Sequence, residues 1–125
     1  MVKYFWDTYA LVLLLNGDEG VAPYAEQEGI TSSLNIAELC AYLLREGFDC
    51  TAAEKMRQAF TIVERIPSEV VIEAAKIRHT ARQKGKAWSY VDAIGYVLAQ
   101  KIGARFLTGD REFKGVKNVE YVGKE

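Results

Sequence analysis

Along the chain, short apolar blocks alternate with longer stretches in which apolar residues recur every three or four positions. Residues 3–6 read as a strand and 8–16 as a helix stopped by Asn16-Gly17. Residues 21–28 suggest a second short helix, with Pro23 tolerated in its first turn. Residues 29–32 suggest a short buried strand. The next helix spans 33–46, carries Ile36, Leu39, Cys40 and Leu43 on one face and ends before Gly47. Residues 51–60 again look helical, and 61–66 (TIVERI) look like a strand halted by Pro67. A helix over 68–84 places Val71, Ala74, Ala75 and Ile77 among its apolar positions and breaks at Gly85. Another over 89–101 has Trp88, Val91, Gly95, Leu98 and Ile102 on one stripe and Gly103 as its stop. Residues 105–107 and 119–122 make the last strands.

Strands separated by helices pair in parallel through crossovers. The expected fold is therefore α/β: a three-layer α/β/α sandwich around a central parallel sheet of four to five strands. With 125 residues, one domain over 1–125 is expected. In such sheets a ligand sits outside the carboxyl ends of the strands.

Composition narrows the class. Half the residues are hydrophobic and a quarter charged, as in a globular protein with a true core. No apolar run approaches the roughly 20 residues that span a bilayer, so no membrane partner is expected. The longest, residues 10–15, is short for a secretory signal, and a cytoplasmic location is expected. Cys40 and Cys50 lack metal-ligand spacing and read as small core fillers, and the lone His79 reads as a helix-surface residue. Charge is uneven: residues 1–62 hold four Lys/Arg against nine Asp/Glu, residues 63–125 twelve against eight. That asymmetry permits an acidic pocket beside a basic surface. Lys76, Arg78, Arg82, Lys84 and Lys86 form a basic stretch that either contacts backbone phosphates or is simply a solvated helix face.

Four acids fall close to the ends of strands or the beginnings of helices. Asp7 comes straight after the first strand, and Asp110 lies beyond the 105–107 strand after a Gly turn. Glu38 is expected in the first turn of the 33–46 helix, and Asp92 in the first turn of the 89–101 helix. Each has a local reading as well. Asp7 can cap a helix, Ser89-x-x-Asp92 has capping-box spacing, Asn35 with Glu38 looks similar, and Asp110 can start a short helix. Gathered at one sheet edge, however, four carboxylates repel one another and raise their own pKa values unless a cation neutralises them. Oxygen-only ligands select a hard cation, Mg²⁺ or Mn²⁺.

The segments FWDTYALVLLL, NIAELC, SYVDAIGYVLAQKIGARFLTGDREF and the final short strand, in that order, resemble the PIN-domain nucleases over essentially the whole chain. The likeness is to the small VapC-type toxins of toxin–antitoxin pairs. It implies that Asp7, Glu38, Asp92 and Asp110 form a catalytic, metal-binding quartet, and that Thr108 orders the site through its hydroxyl. Glu112 becomes an outer contributor and Thr8 a structural one. It further implies Mg²⁺- or Mn²⁺-dependent cleavage of single-stranded RNA by metal-activated water, leaving a 5′ phosphate and a 3′ hydroxyl. It also implies an antitoxin partner that covers the acidic cleft. A homodimer is expected too, with Leu11, Leu14, Tyr42 and Leu44 as interface or core positions. Two other readings stand beside the enzyme: a non-catalytic RNA- or partner-binding module on the same fold, and a phospho-acceptor receiver-like domain. Against the latter, the 61–66 strand offers Glu64 and no aspartate, and the first strand lacks an acidic pair.

Overall fold

The computed structural model describes residues 2–124. Its five strands are β1 (Lys3–Trp6), β2 (Gly29–Ser32), β3 (Thr61–Val63), β4 (Ala104–Thr108) and β5 (Val119–Tyr121). All pair in parallel, in the order β3-β2-β1-β4-β5. The first strand is thus central, and the order reverses between β1 and β4. The crevice at their carboxyl ends is where an open α/β sheet places its ligand.

Five helices cover the sheet: α1 (Thr8–Leu15), α2 (Ser33–Arg45), α3 (Thr51–Ala59), α4 (Ser68–Gln83) and α5 (Tyr90–Lys101). Because side chains alternate along a strand, β1 sends Tyr4 and Trp6 to one face and Phe5 to the other. Leu107 joins Tyr4 and Trp6 in a core with Leu11, Leu39, Leu43 and Met56 from α1, α2 and α3. Phe106 joins Phe5 in a core with Val70 and Ala74 of α4 and with Tyr96 and Val97 of α5. Both faces of the sheet are buried, which is why Tyr4–Trp6 and Phe106–Leu107 of the central strands are consecutive apolar residues. Gly95 lets α5 lie close on the sheet: a Cβ there would stand 3.0 Å from Phe5 and 3.1 Å from Phe106.

Several expectations need correction. The strand expected over 61–66 stops at Val63, because its neighbour β2 ends at Ser32, the residue paired with Val63, and offers nothing beyond. The helix expected over 21–28 is a 3₁₀ turn, Ala22–Glu26, with Gln27 already extended. On α4 the inward residues are Val70, Ala74 and Ala81, while Val71 and Ala75 face out. Leu11 is fully buried and belongs to the core, whereas Leu44 is exposed. His79 lies on the surface as expected.

The cysteines are not separate core fillers. Cys40 and Cys50 form a disulfide that ties α2 to the cap of α3. Such bridges persist in oxidising compartments or in hyperthermophile cells, so the cysteines lend no support to a reducing cytoplasm. Among the described residues, no helix is long and apolar enough to cross a membrane.

Candidate active site

At the carboxyl ends of β1 and β4, a cavity of about 420 Å³ is lined by Asp7, Glu38, Asp92 and Asp110 together with Thr8, Tyr9, Tyr42 and Arg45. All four acids singled out in the sequence meet there. They arrive from separate elements, and each is fixed by its own local bonds.

Asp7 ends β1 and caps α1. Its Oδ1 accepts from the Thr8 backbone N–H at 2.8 Å, and its own N–H donates to the Leu107 carbonyl at 3.0 Å. The Thr108 hydroxyl donates to Asp7 Oδ2 at 2.7 Å and accepts from the Asp110 N–H at 3.0 Å. One hydroxyl at the end of β4 therefore sets the positions of two acids. Asp110 Oδ1 accepts from the Glu112 N–H at 3.0 Å and starts the 3₁₀ turn Arg111–Phe113. Asp92 and Ser89 form a full capping box, with Ser89 N–H on Asp92 Oδ2 at 2.8 Å and Asp92 N–H on Ser89 Oγ at 3.0 Å. Capping and membership of the cluster are thus compatible at Asp7, Asp92 and Asp110.

Glu38 departs from expectation. The helix is capped by Ser32, the last residue of β2, whose Oγ accepts from the Asn35 N–H. Glu38 therefore sits in the second turn, and the Asn35/Glu38 cap does not form. What holds Glu38 is a chain of side-chain bonds. Ser32 Oγ donates to Asn35 Oδ1 at 2.6 Å, Asn35 Nδ2 to Thr8 Oγ1 at 3.0 Å, and Thr8 Oγ1 to Glu38 Oε1 at 2.7 Å. Asn35 is completely buried, and a buried amide with all its partners fixes geometry well. Sequence reading missed the positioning part played by Asn35. The available signal was an amide on the otherwise apolar inner side of α2. Arg45, which lines the cavity 5.9 Å from the Tyr42 ring centroid, carried no signal at all.

Glu112 does not join the cluster. Its Oε1 accepts from the Ala87 N–H at 2.8 Å, which turns the carboxylate toward the loop before α5.

The electrostatics follow from burial. Asp7 is only 2 % exposed, and its pKa is pushed up to about 8. Loss of hydration is the main cause, with Asp92 and then Asp110 adding repulsion against the bonds from Thr108 and Thr8. Asp92 is also raised, again mainly by burial, with Asp110 and Glu38 contributing and its bonds to Ser89 opposing. A site that raises the pKa of its own carboxylates in this way has a deficit of positive charge. The donors are all hard oxygens, which suits a divalent cation such as Mg²⁺ or Mn²⁺. Among the described residues, no group of three or more Asp, Glu, His or Cys side chains stands close enough together to hold a metal ion. The fit is one of donor chemistry and charge.

The family model described as PIN domain matches residues 4–119. No curated protein matches the chain. Among solved structures, a toxin–antitoxin complex from Klebsiella pneumoniae aligns with a TM-score of 0.76 at 17% identity, covering 98% of this chain and 99% of that one. A Pyrobaculum aerophilum protein aligns at 0.72 and 24% identity, covering 97% and 90%. Mycobacterium tuberculosis VapC20, described as a Sarcin-Ricin loop cleaving toxin, aligns at 0.72 and 20% identity, covering 95% and 98%. At these identities the likeness is one of fold.

Proposed function

The chain belongs to the PIN domain family, and from that premise we propose that it is a Mg²⁺- or Mn²⁺-dependent endoribonuclease acting on single-stranded RNA, the toxin of a toxin–antitoxin pair. The observation that carries the reading is the gathering of Asp7, Glu38, Asp92 and Asp110 around one cavity at the reversal point of the sheet. The structural likeness to a toxin–antitoxin complex and to a protein described as a Sarcin-Ricin loop cleaving toxin supports it.

Asp7, Glu38, Asp92 and Asp110 would hold the cation. When bound, it would supply a water of lowered pKa and neutralise the phosphate charge. The chain's own residues do the rest. Thr108 holds Asp7 and Asp110 in a fixed relation, and Thr8 with Asn35 holds Glu38. Asp7, deep in the floor, is itself shielded from bulk water by its surroundings. A partner antitoxin would cover this acidic mouth, and exposed Leu44 and Phe48 at the end of α2 offer apolar area for a second copy of the chain.

Purified protein is mixed with labelled single-stranded RNA with and without Mg²⁺ or Mn²⁺. Cleavage should need the metal and should vanish in both Asp7→Asn and Asp92→Asn. Undiminished cleavage by both variants would remove the assignment. Saturable RNA binding by the unaltered chain without any cleavage would instead favour a non-catalytic binding module.

A further inference from the structure

Arg45 is the single Lys or Arg among the described residues that line the acidic cavity, and none of the bonds that hold the acids runs through it. It belongs to a wall made by one face of α2. Glu38, Ala41, Tyr42 and Arg45 all line the cavity, and their spacing of i, i+3, i+4 and i+7 stacks them along the helix. At about 1.5 Å of rise per residue, the Arg45 Cα lies about 10 Å from that of Glu38 along the helix axis. The side chain is exposed, and its guanidinium stands 5.9 Å from the Tyr42 ring centroid, inside cation–π range. Apart from that ring it has no hydrogen bond or ion pair with a described residue, although four carboxylates share the cavity with it. Its N–H donors are therefore unused by the protein.

We propose that Arg45 is the phosphate clamp of this site, its guanidinium holding a backbone phosphate of the RNA strand in the cavity. The inference rests on the nuclease reading and names the residue that meets the charge of the strand. A cavity lined by four carboxylates repels a polyanion, and Arg45 supplies the opposite charge inside it. A guanidinium paired with Glu38 or Asp92 would be occupied by the acids. Unpaired, its planar fork matches a phosphate through two parallel N–H bonds. The Tyr42 ring beside it limits the freedom of the long arm, which lowers the cost of ordering it on a ligand. The separation from Glu38 keeps the arginine from competing with a cation for that carboxylate. Arg45 also lies in the last turn of α2, where a positive charge favours the helix dipole. That local role needs the charge but no phosphate, so salt dependence of RNA binding separates the two.

Binding of a short fluorescein-labelled single-stranded RNA is followed by anisotropy in Ca²⁺ over a series of KCl concentrations, beside thermal melts of each variant. Arg45→Ala should weaken binding by about 10-fold at about 0.1 M salt, the effect of one lost charge-assisted pair. It should also flatten the plot of log K against log salt by about 0.7, the share of one phosphate contact on a single strand. Arg45→Lys keeps the charge and should hold the slope within about 0.2 of the parent's. Lys55→Ala removes an exposed cation of α3 that does not line the cavity, and its slope should stay within about 0.2 as well. An unchanged slope in Arg45→Ala, an equal flattening in Lys55→Ala, or no recovery in Arg45→Lys overturns the clamp. A lowered melting point in Arg45→Ala with a parent-like slope overturns it too and assigns the residue to the helix end. An Arg45-dependent slope in a chain that never cleaves RNA removes the nuclease reading and leaves the clamp standing. Metal-dependent cleavage with a parent-like slope in Arg45→Ala does the reverse.

Discussion

Asp7→Asn is expected to make the metal-free protein more stable while abolishing its activity, the opposite of what changing a buried residue normally does. In the unfolded chain the carboxyl releases its proton near the ordinary value of 3.8, and in the folded one only near 8. Between those limits the folded state binds more protons than the unfolded state, so stability falls as pH rises. Each pH unit of that window costs about 1.4 kcal/mol, and from pH 5 to pH 8 the loss comes to about 3–4 kcal/mol. The asparagine has no such term. It keeps the Thr8 N–H as a donor but disturbs the bond from Thr108, at a cost on the order of 1 kcal/mol. With roughly 4 °C of melting temperature per kcal/mol at this size, the variant should melt on the order of 10 °C above the unaltered protein at pH 8. At pH 5 the two should agree within about 3 °C. Circular dichroism melts in EDTA at both pH values read this directly. Added Mn²⁺ should raise the melting point of the unaltered protein and leave the variant's nearly unchanged. A variant that melts at or below the parent at pH 8, or a gap that does not depend on pH, would refute the account of Asp7 as an uncompensated buried charge.

Three further expectations concern its neighbours. Thr108→Val keeps shape but leaves Asp7 Oδ2 and the Asp110 N–H without their shared partner, so stability should fall by about 2–4 kcal/mol in chemical denaturation, with RNA cleavage lost. Asn35→Leu should cut the chain to Glu38 and weaken Mn²⁺ binding by about 10- to 100-fold in calorimetry, as removal of a ligand's supporting bond generally does. Reduction with dithiothreitol should lower the melting point by about 10 °C, because the Cys40–Cys50 bridge closes a short loop worth about 2–3 kcal/mol. Cys40→Ser should show the same drop and no further response to reductant.

Much of this molecule was legible in its sequence for identifiable reasons. A strand buried on both faces has little to mark it except an apolar run with a sharp end, and β1 has both in Tyr4, Phe5 and Trp6 with Asp7 directly after. Asn16-Gly17, Gly85 and Gly103 punctuate the helices as the chain turns with positive φ at each glycine. The acids could be found because each also lies near a helix or turn end, where spacing is regular. What stayed hidden depends on distance in space. Cys40 and Cys50 meet only because α2 and α3 fold back on each other, with Cα atoms 5.2 Å apart. Nothing in local spacing marks Asn35 as the neighbour of Thr8, 27 positions away. Glu38 reads a turn too early in the sequence because Ser32 serves at once as the last strand residue and the helix cap. Which of the apolar positions of α4 face inward was not marked, since Val70 and Val71 are alike in chemistry and only packing separates the buried one from the exposed one.

The pairing of β1 with β4 has a consequence for folding. Asp7 and the Thr108 hydroxyl that completes its environment are 101 positions apart in the chain. A segment that holds Asp7 without β4 therefore lacks the arrangement, and domains generally fold as whole units. The Thr108–Asp7 bond is thus a long-range contact, and the Asp7 carboxylate reaches its final environment only when the two central strands have paired.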